Sequence, residues 1–218
     1  MLAAPEEPSH ALLQAQLLRY AEDLQHMLDH ERTLQSRYRE LDQLAHYDAL
    51  TGLPNRLLLN DRLGALLTPS RRPQDNFTLM FMDLDGFKQV NDTLGHATGD
   101  QVLKTVAQRL LASVRDSDTV ARLGGDEFVI IARSLSGDPS IAAFCHKAIA
   151  TVCQPMEANG HQFHIGISMG CAEFPKHGDD ASSLLEHADA AMYQAKTAGG
   201  NCFHIYATDT TELPPKAP

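Results

Sequence analysis

The chain has 218 residues, 43% hydrophobic and 21% charged, enough for one compact domain with an appendage and too varied for global disorder. A formal net charge of -10 and the lack of any basic run argue against nucleic-acid binding, which rests on neutralising phosphates. No stretch approaches the roughly 20 apolar residues of a membrane span, and Met1 opens no signal peptide, so a chain without a membrane segment is expected, alone or cut from a longer sensor.

Residues 1 to 9, with two prolines and two glutamates, read as a loose end. From Ala11 to Ala45 there is neither Gly nor Pro, and helix formers dominate. Leu13, Tyr20, Met27, Leu34 and Leu41 recur every seven residues, and Leu17, Leu24, Glu31, Tyr38 and Ala45 follow each by four. That is a heptad seam with one charge in it. It reads as a parallel dimerising helix, with a single amphipathic helix packed on its own domain as the alternative. Gly52 and Pro54 then force a turn, Asn60 or Asp61 assists a short helix running to Leu67, and Thr68 to Asn76 reads as a surface loop.

The rest alternates strands and helices. Strands are expected over Phe77–Met82, Thr119–Leu123, Glu127–Ala132, Gln162–Ala172 and Cys202–Tyr206, and helices over Asp100–Val114, Ser140–Cys153 and Ala181–Lys196. Gly124-Gly125-Asp126 makes the second and third strands a hairpin. The β-α-β-β-α-β order implies an α+β fold of split-βαβ layout, with helices on one face of the sheet. The proline-bearing tail, 209 to 218, is expected to be disordered. Cys145, Cys153, Cys171 and Cys202 lack a C-x-x-C pair or zinc-finger spacing, and free thiols in a reducing compartment follow.

Three clusters carry chemistry. The strand from Phe77 runs out into Asp83-Leu84-Asp85, two carboxylates that share a face, suited to a hard cation or left as a solvated acidic turn. In Arg122-Leu-Gly124-Gly125-Asp126-Glu127-Phe128 two glycines precede two acids, so a bulky ligand can approach the backbone beside metal-capable carboxylates. Asn91, His96, Gly99 and Asp100 offer an amide and a carboxylate that match the guanine N1–H and N2 amino edge, with helix capping the plainer role for Asp100.

Taken together, these segments resemble the GGDEF family of diguanylate cyclases from about Asp48 to Tyr206. The resemblance is carried by Asp48-x-Leu-Thr-Gly-Leu-Pro-Asn-Arg56, Asp83-Leu-Asp85-x-Phe87-Lys88-x-x-Asn91-Asp92, Gly95-His96-x-x-Gly99-Asp100, Gly124-Gly125-Asp126-Glu127-Phe128 and Ala188-Asp189-x-Ala-Met-Tyr193-x-Ala-Lys196. It implies a nucleotidyl-cyclase-like palm, a mainly antiparallel sheet with helices at 47–208, behind a coiled-coil signalling helix at 1–46. It implies a bacterial cytoplasmic enzyme, the output domain of a sensor, that condenses two GTP into cyclic di-GMP across a homodimer. Asp83, the Leu84 carbonyl, Asp126 and Glu127 would hold Mg²⁺ or Mn²⁺. Asp126, Glu127 and Lys88 would be catalytic, with Asp126 the base. Phe87, Asn91, His96, Asp100, Gly124, Gly125 and Lys196 would bind substrate. Arg115 and Asp118 match the family's Arg-x-x-Asp site for product inhibition. One departure stands out: where the family has Gly-Arg-Asn this chain has Gly199-Gly200-Asn201, without the phosphate-contacting guanidinium. A weakly active or degenerate domain that binds GTP or cyclic di-GMP is the alternative function.

Overall fold

The computed structural model describes residues 10–68, 76–158 and 160–207. The expected loose end, most of the loop after residue 68 and the tail lie outside the described residues. The chain divides into two units, 1–45 and 46–218. The first is the helix α1, His10–His46, whose seam residues Leu13, Leu17, Leu24, Leu34 and Leu41 are all exposed in the single chain. Among the described residues no helix is long and apolar enough to cross a membrane.

The second unit contains α2 (Arg56–Leu67), β1 (Phe77–Asp85), α3 (Phe87–Leu94), α4 (His96–Ser113), β2 (Thr119–Gly124) and β3 (Glu127–Arg133). It continues with α5 (Asp138–Val152), β4 (Met156–Ala158), β5 (His161–Phe163), β6 (Gly166–Phe174), α6 (Ala181–Thr197) and β7 (Phe203–Ile205). Five strands form one sheet in the order β2-β3-β1-β6-β7, antiparallel except for β6 with β7, and β4 and β5 make a separate hairpin.

β1 is the central strand, and its apolar run is buried on both sides. Met80, Met82 and Leu84 pack with Val102, Val106 and Leu110 of α4 and Ile141, Cys145 and Ala148 of α5. Leu79 and Phe81 point the other way, onto Leu59 and Leu63 of α2 and Leu184, Ala188 and Met192 of α6. The expectation of helices on one face is therefore corrected: both faces are covered, as an unbroken apolar strand requires. The segment expected as one strand from Gln162 is two, β5 and β6. α2 is capped by Asn55, whose side chain accepts from Leu57 N and Leu58 N, and Asn60 and Asp61 lie within the helix. All four cysteines are free thiols, with Cys145 and Cys171 buried 3.4 Å apart.

Candidate active site

The acidic centre follows from strand register. β1 lies between β3 and β6, so Asp83 sits opposite Glu127 on one side and Ser168 on the other. Asp126 occupies the turn that joins Gly124 to Glu127. Asp83 Oδ1 is buried, and the Lys196 ammonium from the last turn of α6 meets it as an ion pair at 2.6 Å. Burial pushes the Asp83 carboxyl up, the Lys196 contact pulls it back, and the Asp126 and Glu127 charges push it up again, leaving it above the usual range. Arg56 Nη2 approaches Glu127 Oε2 at 3.8 Å on the exposed side.

Such a centre wants positive charge. Among the described residues no three His, Cys, Asp or Glu side chains converge closely enough to hold an ion by themselves. A cation that takes one or two carboxylates and completes its shell with substrate phosphates and water, as Mg²⁺ does, fits the strand-end acids. Asp85, also read as a cation ligand, is committed elsewhere: Oδ1 accepts from Ser168 Oγ at 2.7 Å and Oδ2 from Asn201 N at 2.7 Å.

The signature turn is braced from behind by Arg122, to which sequence reading gave no role. Its Nε and Nη2 donate to the Gly125 carbonyl at 3.1 and 2.7 Å, and Nη1 donates to both Asp48 oxygens at 2.9 and 3.0 Å. A planar guanidinium serves two acceptors in this way without moving. Gly125 adopts φ +53°, the left-handed region that favours glycine in this turn. The signal for Arg122 was its partner, Asp48, in the motif that follows α1.

The third cluster sits on two helices, where one beginning near Asp100 was expected. α4 starts at His96, after Gly95, so Asp100 lies inside the first turns and is not the cap. Gly99 leaves space for its neighbours: a Cβ there would run into Asn91 Oδ1, displacing that amide, and would lie 3.2 Å from the Phe87 ring. The missing side chain lets the Asn91 amide rest against α4 one residue from exposed Asp100. His96 and Lys88 are exposed, whereas Phe87 is buried at the start of α3.

Arg115 and Asp118 lie in the turn between α4 and β2, the strand at one edge of the sheet. Asp118 Oδ2 accepts from Arg115 N and Oδ1 from Arg133 N, both at 3.0 Å, so its carboxylate shapes the turn. The exposed Arg115 side chain borders a cleft of about 220 Å³ with Arg133, Ser134 and Lys147.

A palm-like sheet thus carries an acidic strand end, a glycine turn and one lysine ion-paired to the acid. Residues 45–202 match the family model described as "Diguanylate cyclase, GGDEF domain", and the chain belongs to that family. It is 47% identical over 168 residues to the bifunctional diguanylate cyclase/cyclic di-GMP phosphodiesterase MucR of Pseudomonas aeruginosa, covering 76% of this chain and 24% of MucR. It is 37% identical over 187 residues to the diguanylate cyclase TpbB of the same organism, covering 84% of this chain and 43% of TpbB. The chain thus spans less than half the length of these relatives, and another relative, NbdA, 38% identical over 161 residues, is named a cyclic di-GMP phosphodiesterase. Among solved structures, the GGDEF domain of TpbB superposes with a TM-score of 0.71 at 36% identity, covering 74% of this chain and 95% of that one. The coiled coil and GGDEF domain of DgcB from Caulobacter crescentus, in complex with cyclic di-GMP, does so with a TM-score of 0.72 at 27% identity, covering 88% and 98%.

Proposed function

We propose that this chain is a diguanylate cyclase that condenses two GTP into cyclic di-GMP and two pyrophosphates across a homodimer. The observation that carries the reading is the half-buried Asp83 carboxylate, opposite Glu127 of the signature across the strands and ion-paired to a lysine ammonium 2.6 Å away. Asp83, the Leu84 carbonyl, Asp126 and Glu127 would hold Mg²⁺ or Mn²⁺. When bound, the cation neutralises phosphate charge and makes the 3′-hydroxyl more acidic.

The chain's own groups do the rest. Asn91 and Asp100 read the guanine edge, with His96, Phe87, Gly124 and Gly125 around the bound nucleotide. Lys88 and Lys196 meet phosphate charge, and Glu127 supports the same edge. Asp126 accepts the proton of the attacking 3′-hydroxyl. The 3′-oxygen bonds to the α-phosphorus of the facing GTP, the bond to the bridging oxygen breaks, and pyrophosphate leaves; the reverse pair then closes the ring. Positioning supplies most of the rate in such transfers. The coiled-coil unit, 1–46, would bring two cyclase units, 47–208, together, and the cleft at Arg115, shaped by Asp118, would take cyclic di-GMP as feedback inhibitor. The family's place in longer proteins fits a cytoplasmic output domain.

Gly200 favours a second reading, a regulator that binds GTP or cyclic di-GMP with weak or no turnover, because a hydrogen bond to a charged group contributes about 1.5–3 kcal/mol. Incubation with GTP and Mg²⁺ or Mn²⁺, with products separated and weighed by mass detection, decides between them. Cyclic di-GMP from the parent chain, reduced roughly hundredfold or more in Asp126→Ala, is expected. Bound nucleotide without product at any concentration would establish the regulator instead.

A further inference from the structure

Asp85 ends β1 two residues beyond Asp83, and the two carboxylates have separate tasks. Each Asp85 oxygen is taken by a short hydrogen bond, Oδ1 from the fully buried Ser168 hydroxyl of β6 and Oδ2 from the backbone N–H of Asn201, both at 2.7 Å. Two glycines make room for it. A Cβ on Gly166, its cross-strand partner, would lie 2.9 Å from Asp85 Oδ2, and one on Gly200 would lie 3.0 Å from the same oxygen. Gly200 also adopts φ +74°, so the chain folds tightly down onto the carboxylate. The turn thus held begins where α6 ends: Gly199 N donates to Lys196 O and Gly200 N to Ala195 O, both at 3.1 Å. Beyond it, Asn201 Oδ1 accepts from Cys153 Sγ at 2.9 Å.

We propose that Asp85 is a positioning residue whose carboxylate latches the 199–201 turn to the ends of β1 and β6 and so holds Lys196 against Asp83. Lys196 has a long, flexible side chain, and its reach to Asp83 depends on where the last turn of α6 is fixed. The glycine at 200 belongs to this latch, since any side chain there must displace the carboxylate by a few tenths of an ångström or more. The catalytic consequence rests on the cyclase reading; the latch itself does not.

The test uses the full chain with Asp85→Ala and Asp85→Asn, each also combined with Lys196→Ala. Hydrogen exchange at the Asn201 amide reads the latch, and GTP turnover reads its consequence. Asparagine can accept from Asn201 N–H through its carbonyl oxygen and donate to Ser168 Oγ, so it keeps the geometry without the charge. Asp85→Ala is expected to speed Asn201 exchange and lower kcat/KM about tenfold each, with Asp85→Asn within about threefold of the parent. In the Lys196→Ala background Asp85→Ala should cost little more, the non-additivity of residues acting as one unit.

Equal damage from Asp85→Asn and Asp85→Ala would make the negative charge the essential property and overturn the latch in favour of cation binding. Unchanged Asn201 exchange in Asp85→Ala would overturn it directly, and fully additive losses would remove the connection to Lys196. Should Asp85→Ala fail to fold, Ser168→Ala removes one of the two bonds; it should speed Asn201 exchange in the same direction by a smaller factor, and no change would overturn the proposal. Absence of turnover in the parent would count against the cyclase reading alone, because the exchange measurement still decides the latch.

Discussion

Arg122 shows how much of the site depends on one side chain. Its guanidinium is only 10% exposed and holds the Gly125 carbonyl and the Asp48 carboxylate together. Removing one partner of such a pair leaves the other charge partly buried and uncompensated, so Arg122→Ala should destabilise the chain by about 3 kcal/mol in urea unfolding. Asp48→Ala added to it should cost less than the two single losses summed, because the same contact is removed twice. Burial raises the Asp48 carboxyl, but the hydrogen bonds from Thr51 and Arg122 outweigh it and hold it below the usual range. A carboxylate lowered on folding stabilises the fold above its unfolded value of about 3.9, and that stability is lost as pH falls through the lower folded value. Among single residues the sequence displayed the acids and glycines of the site because their types announce their chemistry. Residue chemistry alone did not separate Asp83 from Asp85, and only the family resemblance singled out Asp83; in the structure they differ in what the β6 strand and the 199–201 turn bring to each.

At the level of elements, the long helix and strands β1, β2, β3 and β7 were legible because period and composition change sharply at their ends, whereas the break between β5 and β6 was not. α3 was not, nor was the start of α4. Both begin at left-handed glycines, Gly86 at φ 79° and Gly95 at φ 82°, with no side-chain cap, so no Ser, Thr, Asp or Asn marks them. The second helical layer was legible in principle, since the unbroken run of β1 leaves no face for water.

One junction, between β6 and α6, carries a titration. His177 is buried, and its Nδ1 accepts from Glu173 N at 2.9 Å, which requires an unprotonated Nδ1. His187 Nδ1 lies 2.6 Å from the His177 carbonyl, and the Tyr206 ring contacts both imidazoles. Burial and the Lys176 charge hold His177 below its usual value against the opposing pull of Glu173 and Asp138. A histidine lowered on folding supports the fold fully above the unfolded value near 6.5, and that support is lost as pH falls through the lower folded one. The urea midpoint should therefore drop as pH falls below about 6.5, and His177→Asn, whose oxygen can accept the same N–H without titrating, should flatten the drop. An unchanged slope in that variant would show that other groups cause it.

At the scale of the whole molecule, two requirements meet. In the proposed reaction each unit would offer one nucleotide site, and joining two GTP would need two such sites face to face. The helix α1 exposes Leu13, Leu17, Leu24, Leu34 and Leu41 along one seam, apolar surface that a second copy would cover. Tethering through that seam would raise the effective concentration of the second site, to the millimolar range for short connections. The seam was legible as a heptad; its partner was not, because a single chain's pattern serves a dimer and an intramolecular contact equally well.

The most direct measurement is the initial rate of cyclic di-GMP formation per chain, followed over a wide range of protein concentration for the parent and for a Leu24→Glu, Leu34→Glu double variant. A homodimeric cyclase gives a specific activity that rises with concentration to a plateau, and the variant reaches it only at a concentration about tenfold higher or more. Specific activity that is flat with concentration down to the lowest detectable level, and equal in the two proteins, would contradict a cyclase assembled through this helix.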